Sequence, residues 1–282
     1  MKKIVLLLLL STASLSAQVH GPAKGSLVIV GGAMQDPAIV QRFIELAGGT
    51  EAPIVIIPTA GEADDEYHQF WSGLKQWRDN GARHLTVLHT RDRAVANSEA
   101  FVKPIREARG VFFAGGRQWR LADSYLDTLT QKELAALLNR GGVIGGSSAG
   151  ASILASFMVR GDTKSNEKMI GDHTVGFGFV KNSAIDQHLL RRNRQFDMLE
   201  VIDAHPELLG IGLDEDTAIV VDGDRFDVIG RSYVVVYSNK PVAGAIGRFY
   251  FMGAGDRFDM KTRKATRQGT EWRPLQGVRP PG

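Results

Sequence analysis

The segment Gly142-Val143-Ile144-Gly145-Gly146-Ser147-Ser148-Ala149-Gly150-Ala151 reads as a short apolar strand, a turn made of small residues and the opening of a helix. A serine on a sharp strand-to-helix turn sits in a strained backbone that only small neighbours tolerate. Its hydroxyl is exposed there, with the N–H groups of the helix start close by. Ser148 has glycines two residues before and two residues after it, and Ser147 does not. Because G-x-S-x-G also describes an ordinary glycine-rich turn, a nucleophile elbow is indicated by the strand before and the helix after.

Outward from that turn, apolar runs rich in β-branched residues recur at Leu27 to Val30, Ile54 to Ile57, Leu85 to Leu88, Val111 to Phe113 and Val143 to Ile144. Such runs suit strands covered on both faces of a parallel sheet. Between them lie segments of helical character at residues 37–46, 64–80, 99–109, 125–139 and 151–159. The alternation predicts an α/β fold, a mostly parallel sheet with helices on both faces. After a polar stretch at 160–178, short strands are expected at Ala184 to Asp186, Ile211 to Leu213, Ala218 to Val221, Phe226 to Ile229 and Tyr233 to Tyr237, with a helix at 191–204. Asp222-Gly223-Asp224 is a hairpin signal, so the C-terminal half should carry a small antiparallel extension at one sheet edge. A single α/β hydrolytic domain is expected over 25–260, and residues 261–282 read as an irregular tail.

Lys2 and Lys3, the apolar run Ile4 to Leu10 and the small-residue stretch Ser11 to Ala17 form a secretory signal peptide over residues 1–17. The apolar run is far short of the ~20 residues that span a bilayer, and no lipid-attachment cysteine follows, so no membrane anchor is expected. Export to the periplasm or the exterior is. The chain has 282 residues, 34 basic and 31 acidic; removal of the leader takes away two lysines and leaves a net charge of +1. That balance, without a long Lys/Arg block, speaks against a nucleic-acid partner. The absence of cysteine removes disulfides, thiolate metal sites and a cysteine nucleophile.

An active serine needs a base, and the base an orienting carboxylate. Of the seven histidines, His188 follows a short strand, and strand C-termini form the ligand crevice of such sheets. A histidine placed there serves structure as readily as catalysis. Asp214-Glu215-Asp216 clusters three carboxylates after another strand; a solvated turn and an oxygen-ligand metal site are the other readings, but the run lacks the alternate spacing of an EF-hand loop. The order Ser, His, acid differs from that of α/β-hydrolases.

Taken together, these motifs resemble the cyanophycinase-like S51 peptidases. The likeness runs through Val28-Ile29-Val30-Gly31-Gly32-Ala33, Ile57-Pro58-Thr59-Ala60, Phe113-Ala114-Gly115-Gly116-Arg117-Gln118, Gly146 to Ala151, Asp186-Gln187-His188-Leu189 and Gly210-Ile211-Gly212-Leu213-Asp214-Glu215. The resemblance implies a flavodoxin-like fold related to class I glutamine amidotransferases, whose cysteine is missing here. It implies Ser148 as nucleophile, His188 as base and Glu215 as its carboxylate partner, with backbone amides of Gly115, Gly116 and Ala149 as oxyanion hole. Gln118, Asp186, Gln187, Arg192 and Arg194 match positions that shape the substrate pocket. No metal or other cofactor is implied. The implied substrate is cyanophycin, a poly-aspartate bearing arginine on each β-carboxyl, released as β-Asp-Arg dipeptides, and homodimers are common in the family. Two positions depart from the family: Arg117 replaces an acidic or amide residue, and Asp197 replaces a third pocket arginine. These departures suggest a retained triad with a different preferred peptide. An isoaspartyl or α-aspartyl dipeptidase of the peptidase E type is the alternative enzyme, and a noncatalytic binding protein on the same fold the alternative class.

Overall fold

The computed structural model describes residues 20–63, 67–242 and 247–267. The signal peptide read at residues 1–17 lies outside the described residues. In chain order the elements are β1 (Ser26–Val30), α1 (Pro37–Ala47), β2 (Pro53–Ile57), α2 (Lys75–Asp79), β3 (His84–Val87), α3 (Arg93–Ala96), α4 (Glu99–Glu107) and β4 (Gly110–Phe113). There follow α5 (Gln118–Tyr125), α6 (Leu129–Asn139), β5 (Val143–Ser147), α7 (Ala149–Ser152), β6 (Ala155–Phe157), β7 (Val180–Asp186), α8 (Met198–Ala204) and β8 (Leu209–Leu213). The chain continues with β9 (Thr217–Asp222), β10 (Arg225–Gly230), β11 (Val234–Tyr237), β12 (Phe249–Met252), β13 (Arg257–Asp259) and β14 (Lys264–Thr266).

The main sheet has nine strands in the order β14-β13-β10-β9-β1-β5-β4-β2-β3. Strands β1, β5, β4, β2 and β3 run parallel, and β9, β10, β13 and β14 add an antiparallel flank. The central strands read as unbroken apolar runs because alternate residues feed two cores. Leu27, Ile29, Val55, Val111 and Ile144 face one core, and Val28, Val30, Ile54, Phe112 and Val143 face the other, where α1 supplies Ile39, Val40, Phe43 and Ile44. The fold is therefore the α/β, mostly parallel arrangement with helices that the sequence indicates. The Asp222-Gly223-Asp224 signal is a two-residue hairpin between β9 and β10, with Asp222 opposite Arg225 and Gly223 at φ 55°.

Several expected elements differ. Strands β6, β7, β8, β11 and β12 form a separate five-stranded sheet rather than an extension of the first. The helix expected at 151–159 ends at Ser152 and gives way to β6, because fully buried Ile153 and Leu154 accept hydrogen bonds from Phe177 and Val180 and draw the chain into that sheet. The segment expected to be helical at 64–80, of which 64–66 lie outside the described residues, holds a 3-10 turn at Ser72–Leu74 and the short α2; the aromatic rings of Tyr67 and Trp71 pack inward from a non-helical stretch. Helical structure at 118–139 is split, since Asp127 adopts φ 58° between α5 and α6. Only the last part of the 191–204 helix forms, as α8. Within the tail expected from Lys261, Lys264–Thr266 is β14, paired with β13.

Candidate active site

Ser148 lies between β5 and α7 with φ 56° and ψ −114°, a conformation that L-residues rarely adopt. Its own amide donates to the Val30 carbonyl at 3.0 Å, and its carbonyl accepts from Ala151 and Ser152. The flanking glycines are required by contact. A methyl group at Gly146 would fall 2.0 Å from the Gly150 carbonyl oxygen, and one at Gly150 would fall 2.2 Å from that of Phe113. The turn is therefore a nucleophile elbow, though the helix after it is only four residues long.

Ser148 Oγ is 2.8 Å from His188 Nε2, and His188 Nδ1 is 2.7 Å from Glu215 Oε1. His188 also has a positive φ, 53°, and its amide donates to the Gly31 carbonyl. Gly32 is the bed of the imidazole: at φ +133°, a methyl there would lie 2.3 Å from His188 Cε1. The three consecutive carboxylates after β8 point to three different tasks. Asp214 Oδ1 accepts from the amides of Leu190 and Arg191 and its Oδ2 from Ser232 Oγ, which fixes the turn after His188. Glu215 takes the imidazole. Asp216 Oδ1 accepts from the amides of Gln35 and Asp36, bracing the loop after β1. Among the described residues, no group of three or more His, Asp and Glu is disposed to hold a metal ion.

Burial lowers the pKa of His188 below the ordinary imidazole value; the guanidiniums of Arg192 and Arg194 push the same way, and Glu215 opposes them. The shift favours the neutral ring, which stands beside a hydroxyl. A hydrogen-bonded Ser–His–carboxylate chain on a strained elbow can deprotonate the serine for attack on an acyl carbon.

The model of peptidase family S51 matches residues 27–229. The chain belongs to peptidase family S51. Curated relatives include the cyanophycinase of Geminocystis herdmanii, 32% identical over 266 residues that make up 86% of this chain and 96% of the relative. The cyanophycinase of Synechococcus elongatus is 29% identical over 279 residues, 92% of this chain and 86% of the relative. Among solved structures, a peptidase from an acI-B1 Actinobacterium superposes with a TM-score of 0.67 at 24% identity, over 85% of this chain and 98% of that one. A putative peptidase E protein from Listeria monocytogenes gives 0.53 at 20% identity, over 74% and 100%. These two show the shared fold. As a member of family S51, the protein is a serine-type peptidase.

In this S51 peptidase the positions expected to line a substrate pocket are mostly turned inward. Asp186 is wholly buried and binds the buried Arg160 through two hydrogen bonds, to Nε at 2.8 Å and to Nη2 at 3.0 Å. Arg160 also reaches Asp197 Oδ2 at 2.5 Å and the carbonyls of Asn166 and Glu167. Gln118 is buried and donates to the Val159 carbonyl. Gln187 Oε1 accepts from Arg194 Nη1 at 3.1 Å, and both residues are buried. Of the five, Arg192 alone is exposed, and its side chain makes no ion pair or hydrogen bond among the described residues. A buried polar side chain must find a partner, and four of these residues have theirs within the chain.

Gly115 and Gly116 are exposed, Gly115 against Ser148, and their amides have no backbone acceptor among the described residues. Ala149 is the first residue of α7, where an amide lacks an intrahelical partner. Arg117, next on that loop, donates to the carbonyls of Asp162 and Thr163 at 3.0 and 3.4 Å and ties the loop to the segment after β6. Residue-level reading missed Arg160, Asp214 and the role of Gly32. The Gly31-Gly32 pair and the acidic run were visible signals; Arg160 had none, because it stands in an aperiodic polar stretch.

Proposed function

We propose that Ser148, His188 and Glu215 are the catalytic triad of an exported peptidase that cleaves aspartyl peptides. The observation that carries this reading is the continuous hydrogen-bonded chain of 2.8 and 2.7 Å on the elbow. His188 accepts the Ser148 proton as Oγ attacks the scissile carbonyl, then returns it to the leaving amine, while Glu215 holds the tautomer and stabilises the imidazolium. The amides of Gly115 or Gly116 and of Ala149 receive the oxyanion; losing one such donor costs ~100-fold or more in rate.

Cyanophycin is the first candidate substrate, because curated relatives of this chain are cyanophycinases. A second reading, cleavage of short aspartyl peptides in the manner of peptidase E, is favoured by one observation. Asp186 and Asp197, carboxylates available to a substrate guanidinium by position, are both committed to Arg160. Arg192 remains to grip a substrate carboxylate.

The deciding experiment incubates purified protein with insoluble cyanophycin and with β-Asp-Arg, α-Asp-X and isoaspartyl peptides, using Ser148→Ala as control. Polymer solubilisation lost in the variant establishes cyanophycin hydrolysis; cleavage of short peptides alone establishes a dipeptidase; no turnover of any of them sinks the enzymatic role of the triad on aspartyl bonds. Export, supported by the leader at 1–17, is read by fractionating cells that express the full chain. A homodimer, supported by the habit of the resembled family, is read by light scattering.

A further inference from the structure

Beside the nucleophile lies a cavity that the triad does not use. Its volume is about 260 Å³, and it opens at the carboxyl ends of β1, β2, β4 and β5, on the side of the sheet covered by α1. Met34, Ile56, Trp71, Trp77 and Phe112 form its walls. Among the described residues no charged side chain lines it; Gln76 and Ser147 contribute its polar side chains. Gly115 and Ser147 make the end nearest the nucleophile, and a methyl group at Gly115 would stand 3.2 Å from Ser148 Cβ and 3.7 Å from its Oγ. A group bonded to Ser148 Oγ is therefore within one side-chain length of the cavity. Trp71 is held as an outer wall by Gly73, where a methyl group would fall 2.4 Å from the indole, and by the edge of Tyr67 at 5.4 Å between centroids.

We propose that this cavity receives an uncharged aliphatic or aromatic side chain of the substrate residue next to the scissile bond. The inference rests on Ser148 being the nucleophile and on the second reading above, cleavage of short aspartyl peptides, because cyanophycin carries no uncharged side chain. A guanidinium or carboxylate placed in the cavity would lose its water and gain no counter-charge from the described lining, whereas an alkyl or aryl group replaces water against aromatic walls. The volume lies just under the ~300 Å³ at which sites for whole small molecules begin, so it suits one side chain and not a length of polymer. Charge recognition is left to Arg192, which stands exposed within electrostatic reach of His188. The combination selects a peptide that pairs a carboxylate with an apolar residue.

The test compares labelling of the purified protein by two fluorophosphonates, one with a neutral isobutyl tail and one with a cationic aminobutyl tail, each rate corrected for the probe's hydrolysis in buffer. In either reaction the Ser148 Oγ–P bond forms, the P–F bond breaks, fluoride leaves and the serine proton passes to His188. The neutral probe should label about tenfold faster or more, the size of discrimination that an apolar pocket supplies. Gln76→Glu, on the exposed face of α2 and outside the catalytic machinery, should shift the ratio severalfold toward the cationic probe. Equal labelling, faster labelling by the cationic probe, or a ratio untouched by Gln76→Glu overturns the proposal. Failure of both probes, or labelling that survives Ser148→Ala, overturns the reading of Ser148 instead, and the cavity's role falls with it.

Discussion

The basicity of His188 is set by opposing influences that can be separated by mutation. Burial and the nearby guanidiniums lower its pKa, and Glu215 raises it. Only the neutral ring can accept the Ser148 proton, so kcat/KM should fall on the acid side with an apparent pKa below the ordinary ~6.5 of imidazole. Arg192→Gln removes one of the depressing charges, so the acid limb should move to higher pH by a fraction of a pH unit; a limb that stays in place would show that Arg192 does not act on the base. Gly32→Ala places a methyl group against the ring at 2.3 Å from Cε1. Displacing a base by ~1 Å costs about 100-fold in rate, and a loss of that order in kcat/KM, with the thermal transition retained, is the expected result. Ser148 was legible because its glycines are adjacent in sequence. Asp214 and Gly32 stand in visible runs, but what they do beside His188 rests on contacts between distant parts of the chain, which no local pattern specifies.

Among the elements, the parallel strands were legible because burial on both faces makes them apolar without alternation. The second sheet was not, since a run such as Ala155–Phe157 is too short to declare a period and Ile153-Leu154 equally suits a helix. Arg160, which follows β6, ties that strand's end to β7 and α8: it holds Asp186 at the end of β7 and reaches Asp197 just before α8. Arg160 and Asp186 are both fully buried, so breaking the pair leaves an uncompensated charge. Arg160→Met should cost about 3–5 kcal/mol in denaturant unfolding. Replacing both partners with apolar groups removes the stranded charge, and the double variant Arg160→Met/Asp186→Leu should regain at least half of that loss. A double variant no more stable than the single one would mean that the pair holds the fold through geometry that apolar packing cannot replace.

At the scale of the molecule, Ser148 sits at the carboxyl end of β5, which is flanked by β1 and β4 in the middle of the main sheet, far from either edge. The antiparallel flank protects that centre. Strand β9 lies directly on β1, β10 on β9 and β13 on β10, so the residues after Gly255 close the edge of a sheet whose interior holds Ser148 and the β1 loop braced by Asp216. The basic, aperiodic composition beyond Lys261 concealed this part, because two three-residue strands present no pattern of their own. Their anchoring residues are Phe258 and Met260, both fully buried, with the Phe258 ring tilted against that of Phe226 at 5.3 Å between centroids. Each such side chain contributes about 1.5–3 kcal/mol on burial, so a chain ending at Gly255 should lose roughly 3–6 kcal/mol of stability in urea. The loss should fall on the flank before the centre: hydrogen exchange should quicken first in β10, then β9, while the β5 amides stay protected until global unfolding. Uniform acceleration across both sheets would instead mean that the flank and the catalytic centre unfold as one cooperative unit.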